Sequence, residues 1–144
     1  MEKRVYMLNL AMKLLGTPYI WGGSTPSGFD CSGFAIWILQ VFDVLQAGDW
    51  NAQGLSKLFA AIDLPEPGDL VFYGKSKDEI THVMMYAGEM VPLVGGMVIG
   101  ASGGDHTCTS PEIAKLRGAK VKLKPVGYRR DVTFYGNISS LRVP

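Results

Sequence analysis

At 144 residues the chain fits one domain, long enough to bury a core, with little room for a second. Apolar residues make up 47% of it and charged residues 19%, with 14 Lys and Arg against 13 Asp and Glu, so the composition is globular and nearly uncharged overall. That balance argues against nucleic acid as a partner. No basic tail, zinc spacing or phosphate-cradling glycine loop stands in the chain, so no metal or cofactor is expected, and no stretch reaches the length of a membrane span.

The opening Met1-Glu2-Lys3-Arg4, followed by Val5 to Leu15, imitates a signal peptide, but Asn9 and Lys13 interrupt the apolar part and no small-x-small cleavage pattern follows. Val5, Leu8, Met12 and Leu15 recur at helical spacing, which predicts an amphipathic helix. Without an export signal, the protein is expected to be made in the cytoplasm and to reach its target after lysis or by delivery in a particle. Gly16-Thr17-Pro18 ends the helix, and Tyr19-Ile20-Trp21-Gly22-Gly23 leads into a loop of Ser24, Thr25, Pro26, Ser27 and Gly28. A second helix is predicted from about Cys31 to Leu45. Asp49 is a plausible N-cap for a third through Gly54 and Leu55 to Ile62, although Gly54 weakens it.

The character changes at Leu64-Pro65-Glu66-Pro67-Gly68-Asp69. Leu70–Tyr73, His82–Ala87 and Met97–Ala101 read as strands separated by turn residues. Ser110-Pro111-Glu112 starts a helix, with Ser as N-cap and Pro at the first helical position, and Gly118 stops it. Lys120–Lys124 alternates charge with apolar residues, and Val132–Tyr135 is β-branched and aromatic, so two strands close the chain. Helices first and strands later argue for an α+β domain with antiparallel pairing. The basic residues of the last quarter, Arg129 and Arg130 among them, read as a solvated strand face or as a polyanion-binding surface.

Of the two cysteines, Cys31 and Cys108, neither is expected in a disulfide, and Cys108 reads as an ordinary loop cysteine. Cys31 follows the turn formers Gly28-Phe29-Asp30 and precedes the apolar run Phe34 to Leu39, which places a thiol on the first turn of a buried helix. The unpaired N–H groups and the positive end of the helix dipole favour a thiolate there, so an attacking species populated near neutral pH is expected. The alternative is a small buried hydrophobe chosen for packing. A cysteine nucleophile needs a base, and His82, at the start of a strand, is one of only two histidines; a structural histidine is its other reading.

The joint pattern is more specific than either residue. Pro18-Tyr19-Ile20-Trp21-Gly22-Gly23, Phe29-Asp30-Cys31-Ser32-Gly33-Phe34, Pro67-Gly68-Asp69-Leu70-Val71-Phe72 and His82-Val83 with Tyr86 and Gly88 resemble the NlpC-type cell-wall peptidases, the NlpC and p-sixty family, over about residues 5 to 105. The resemblance implies a papain-like NlpC-type α+β domain, with N-terminal helices packed on an antiparallel sheet and the catalytic cysteine at a helix N-terminus. It further implies hydrolysis of amide bonds in peptidoglycan stem peptides, commonly between D-γ-glutamate and a diamino acid, with Cys31 as nucleophile and His82 as general base. Tyr19 matches a tyrosine that helps stabilise the oxyanion together with the Cys31 N–H. Asp30 and Ser32 match positions that contact the free amine of a stem peptide, where a charge-assisted hydrogen bond would fix the substrate end. Asp30 has a second reading as a helix cap. Trp21 is expected to pack under the loop, while Gly22, Gly23 and Gly33 serve close backbone approach.

The chain departs from the family at the third catalytic position, where many members carry a histidine or another polar residue and this chain has Gly100. Glycine offers no side chain to orient an imidazole. Ser102, on the same strand face, is the first candidate orienting group, with Asp105 and His106 behind it. Gly100 with Ser102, Gly103, Gly104 and Asp105 looks similar to the phage-encoded branch of the family, which tends to lack separate wall-binding modules. One peptidase domain over 1–144, with no such module and with a phage particle as a conceivable partner, is therefore expected. The alternatives are an N-acetylmuramoyl-L-alanine amidase of the related cysteine, histidine-dependent type, or a catalytically weak structural component of a phage particle.

Overall fold

The computed structural model describes residues 2–91 and 95–141. The first helix, α1, spans Glu2–Lys13 and buries Arg4, Met7 and Ala11, leaving Val5 59% exposed. Its inward face is thus rotated from the expected stripe: Leu8 and Met12 pack on the core, whereas Val5 and Leu15 are exposed. The reason is electrostatic: the Arg4 guanidinium donates at 2.9 Å to the carboxylate of Asp69, which is fully buried, and at 3.1 Å to the Pro67 carbonyl. Asp69 also accepts the Glu66 and Ile138 amides, so both of its oxygens are occupied. A buried charge is tolerated only when paired and hydrogen-bonded in this way.

Where a plain loop was expected, Ser24–Thr25 and Gly28–Phe29 pair as a short antiparallel hairpin, β1 and β2. The hairpin drives Phe29 into the core, where its ring meets Phe34 at 5.5 Å and Trp37 at 5.8 Å between centroids. The second helix, α2, spans Cys31–Val41 and is shorter than expected, because Phe42 caps it and Asp43 takes a left-handed φ of 56°. The third helix, α3 (Ala52–Ser56), is capped by Asn51, whose side chain accepts the Gly54 amide at 2.8 Å. Asp49, the expected cap, binds the Trp50 amide instead. The expected continuation to Ile62 is replaced by strand β3, Ala60–Ile62, which pairs antiparallel with the last strand.

The remaining strands are β4 (Leu70–Gly74), β5 (Ile80–Val91), β6 (Gly95–Ser102), β7 (Lys120–Pro125) and β8 (Val132–Asn137). With β3 they form one antiparallel sheet in the order β3-β8-β4-β5-β6-β7. Helix α4, Pro111–Arg117, has the expected Ser110 cap and Pro111 start, and it ends on Gly118 in a left-handed conformation at φ 63°. Left-handed backbone is where glycine replaces other residues at little cost.

Two hydrophobic clusters sit on opposite sheet faces. The larger joins Leu70, Phe72, Val83, Met85 and Ile99 to the inward faces of the helices. The smaller joins Val71, Tyr73, Met84 and Val98 and is covered by Val126 and Tyr128, which belong to a 3₁₀ turn at Val126–Tyr128. Side chains alternate along a strand, so His82 shares the second face with Met84, and Ser102 shares it with Val98 and Gly100. No helix among the described residues is long and apolar enough to cross a membrane.

Candidate active site

The start of α2 is built by Asp30. Its extended backbone and its carboxylate, which accepts the Gly33 amide at 2.7 Å, make it the N-cap, so Cys31 becomes the first helical residue. The same carboxylate takes the Ser32 hydroxyl and the Gly22 amide at 3.2 Å each. A side chain at Gly33 would strike the Gly23 carbonyl oxygen and one at Gly23 the Gly28 carbonyl oxygen, so close approach requires glycine at both; Gly22 faces open space and is instead held left-handed at φ 73°.

The Cys31 thiol lies against β5. The backbone amides of Val83, Ser32 and Cys31 itself favour the thiolate. Burial outweighs them and, helped by the Asp30 charge, pushes the Cys31 thiol up to about 11. The helix start alone favours the thiolate; desolvation acts in the opposite direction here and is the larger effect. Cys108 is a free and fully buried thiol that donates to the Tyr19 carbonyl at 3.2 Å, and so acts as a tether for the Tyr19 segment.

His82, on β5 beside Val83, is only 7% exposed. Burial, with the nearby Arg129 charge, pushes its imidazole down to about 4, so the ring is neutral at pH 7. Nε2 of His82 lies 2.7 Å from the Tyr128 hydroxyl, which in turn lies 3.3 Å from the Ser102 hydroxyl. The Tyr73 ring flanks the imidazole at 5.4 Å.

Tyr19 is buried, its ring laid over Gly104, where any side chain would collide with it. Burial first, and then the Cys31 and Asp30 charges, raise its hydroxyl above the ordinary tyrosine range, so it stays a donor. Asp30 and Ser32 line a cleft of about 290 Å³ together with Trp21, Asp49 and Trp50. Burial raises the Asp30 carboxyl, against the lowering effect of its Gly33, Ser32 and Gly22 hydrogen bonds. Trp21 does not pack under the loop as expected: it is 55% exposed at the rim of this cleft, with its ring edge-on to His106 at 6.2 Å.

The residues expected to orient His82 are placed differently from one another. Ser102 is buried and reaches His82 only through Tyr128. Asp105 is turned to Thr107 and Arg117, and these bonds hold its carboxyl below the usual range. His106 is turned to Trp21. At Gly100 a Cβ would come within 2.7 Å of the Met84 sulfur, so Met84 fills the space beside that position. Tyr128 was not singled out from the sequence. Its one signal is an aromatic in the short Pro125-Val126-Gly127-Tyr128 connection, far from both cysteine and histidine. Arg129, read as part of a solvated face, instead grips Asp131 through two bonds of 3.0 and 2.6 Å and lies over the Tyr73 ring at 5.5 Å.

Residues 16–116 match the model of the NlpC/P60 family, somewhat further along the chain than the expected 5 to 105. The probable peptidoglycan endopeptidase LytE of Bacillus subtilis is 40% identical over 78 residues, 54% of this chain and 23% of that protein. The gamma-D-glutamyl-L-lysine dipeptidyl-peptidase of Bacillus cereus is 33% identical over 85 residues, 58% of this chain and 26% of that protein. The matched segments thus span about a quarter of these relatives. Among solved structures, the NlpC/p60 domain of the peptidoglycan hydrolase SagA has a TM-score of 0.67 at 28% identity, covering 93% of this chain and 97% of that one. An NlpC/P60 family protein from Bacillus cereus has a TM-score of 0.70 at 26% identity, covering 94% of this chain and 39% of that one. From the family match over well over half its length, and from a sheet and helix arrangement shared with these domains, the chain belongs to the NlpC/P60 family.

Proposed function

We propose that this chain is a cysteine endopeptidase that cleaves amide bonds in peptidoglycan stem peptides, with Cys31 as nucleophile and His82 as general base. The observation that carries the reading is that Cys31 opens the Asp30-capped helix α2, which packs against β5, the strand that bears His82. Nε2 of His82 is engaged by Tyr128, which leaves Nδ1 as the nitrogen for the thiol proton. The resting pair is neutral, so the Cys31 proton passes to His82 as the sulfur attacks the carbonyl carbon. The oxyanion that forms is held by the Cys31 N–H at the helix start and the Tyr19 hydroxyl. On collapse the C–N bond breaks, His82 returns the proton to the departing amine, and water then hydrolyses the thioester with His82 again as base.

Within the stem peptide, the bond from D-γ-glutamate to the diamino acid is the proposed target. Support comes from the name of the Bacillus cereus relative and from the acidic Asp30 wall of the cleft, which suits the cationic amine of a trimmed stem. The test is mass analysis of muropeptides released from walls of defined chemistry. New diamino-acid amino termini are expected. Free L-alanine amino termini instead would identify an amidase cutting after muramic acid, and unaltered muropeptides would fit a structural component without turnover.

A further inference from the structure

We infer that Tyr128 is the positioning residue for His82, holding the imidazole in the tautomer that points a bare Nδ1 at the thiol. The inference rests on the peptidase reading for its kinetic consequence and on geometry alone for the tautomer. Among the described residues, the hydrogen bond made by the His82 ring is the 2.7 Å contact between Nε2 and the Tyr128 hydroxyl. The other side chains considered for this task are absent or occupied: position 100 is glycine with Met84 against it, Asp105 is held by Thr107 and Arg117, and His106 faces Trp21.

A tyrosine hydroxyl both donates and accepts, so its direction at His82 has to be fixed by a third group. The second partner is Ser102, whose Oγ lies 3.3 Å from the Tyr128 oxygen; either hydroxyl can donate across that contact. In the proposed arrangement the Tyr128 O–H is donated to Ser102, so that the phenol oxygen turns its lone pairs to His82 and accepts the Nε2 proton. The ring is then protonated at Nε2 and free at Nδ1, the arrangement a general base for Cys31 requires.

Tyr128 is also rigid enough for the role. Tyr73, His82 and Tyr128 form a three-ring cluster with centroids 5.4, 5.8 and 6.3 Å apart. Tyr73 donates its hydroxyl to the Val126 carbonyl at 2.9 Å, which clamps the turn carrying Tyr128 onto the sheet, and Arg129 covers the outer side of Tyr73. A neutral phenol supports an imidazolium less than a carboxylate would, so the contribution expected is orientation more than charge stabilisation.

The test pairs a spectroscopic readout with kinetics. In uniformly 15N-labelled protein at pH 7, the His82 ring nitrogens are expected to report a neutral ring protonated at Nε2. Tyr128→Phe keeps the aromatic packing and removes the hydroxyl; it is expected to give a mixture of tautomers and to lower kcat by about ten- to a hundredfold with KM within about twofold. Ser102→Ala should lower kcat only a few-fold and move the tautomer ratio in the same direction. A wild-type ring protonated at Nδ1, or a Tyr128→Phe protein with unchanged tautomer and full kcat, overturns the inference. Should the wild type hydrolyse no wall peptide, the peptidase reading fails, while the tautomer in the wild type and in Tyr128→Phe still decides the role of Tyr128.

Discussion

The Asp30 carboxylate accepts the Gly33 amide at 2.7 Å while lining a cleft with Ser32, Trp21, Asp49 and Trp50, so one side chain both caps α2 and borders an open cleft. The two roles separate by substitution. Asparagine caps a helix about as well as aspartate, so Asp30→Asn should leave the melting temperature close to wild type. It should nevertheless impair cleavage of stem peptides with a free amino terminus more than of those blocked there. Asp30→Ala removes the cap as well and should cost about 1 kcal/mol or more of stability. Equal loss on both substrates, with a lowered melting temperature in Asp30→Asn, would leave the cap as the residue's whole role.

Arg4 and Asp69 fasten α1 to the turn before β4, and both are almost completely buried. Removing either partner strands the other charge, so Arg4→Ala and Asp69→Ala should each lower unfolding free energy by about 3–5 kcal/mol. In urea titrations the double variant should lose far less than the sum, since the pair fails as a unit. Additive losses would mean that the two residues act separately.

Burial sets the pH response of the dyad. With the Cys31 thiol raised to about 11, its thiolate fraction grows about tenfold per pH unit through the neutral and mildly alkaline range. The rate of Cys31 alkylation by iodoacetamide should therefore keep climbing from pH 6 to pH 10. With His82 lowered to about 4, the base stays unprotonated and wall hydrolysis should persist below pH 6, failing only as pH approaches 4. An alkylation rate already flat between pH 5 and pH 9 would show a resting thiolate–imidazolium pair instead.

The parts of this molecule legible in the sequence are those fixed by local chemistry. Ser110, Pro111 and Gly118 bound α4 because cap, fixed φ and left-handed exit are properties of those residues. The core strands β4, β5 and β6 are legible from continuous apolar runs, and Asp30 as a cap from its place before Cys31. What escapes is set by partners distant in the chain. The buried face of α1 depends on Arg4 meeting Asp69, 65 residues on. The strand at Ala60–Ile62 depends on pairing with β8, without which the same apolar run reads as helix. Tyr128 reaches His82 across 46 residues from a turn with no pattern of its own. In the candidate site, the sequence motifs point to Cys31, His82, Tyr19, Asp30 and Ser32 as candidates, whereas the Tyr128 hydroxyl contact with His82 has no local signal.

The central claim is that Cys31 and His82 perform one chemical step together. The most direct measurement is release of diamino-acid amino termini from purified stem tetrapeptide by the wild type, Cys31→Ala, His82→Ala and the double variant, each checked for an unchanged melting profile. Cleavage by the wild type is expected, with none detectable for either single variant and no further loss in the double, since residues acting on one step are not additive. Near-normal cleavage by a folded Cys31→Ala or His82→Ala protein would contradict it.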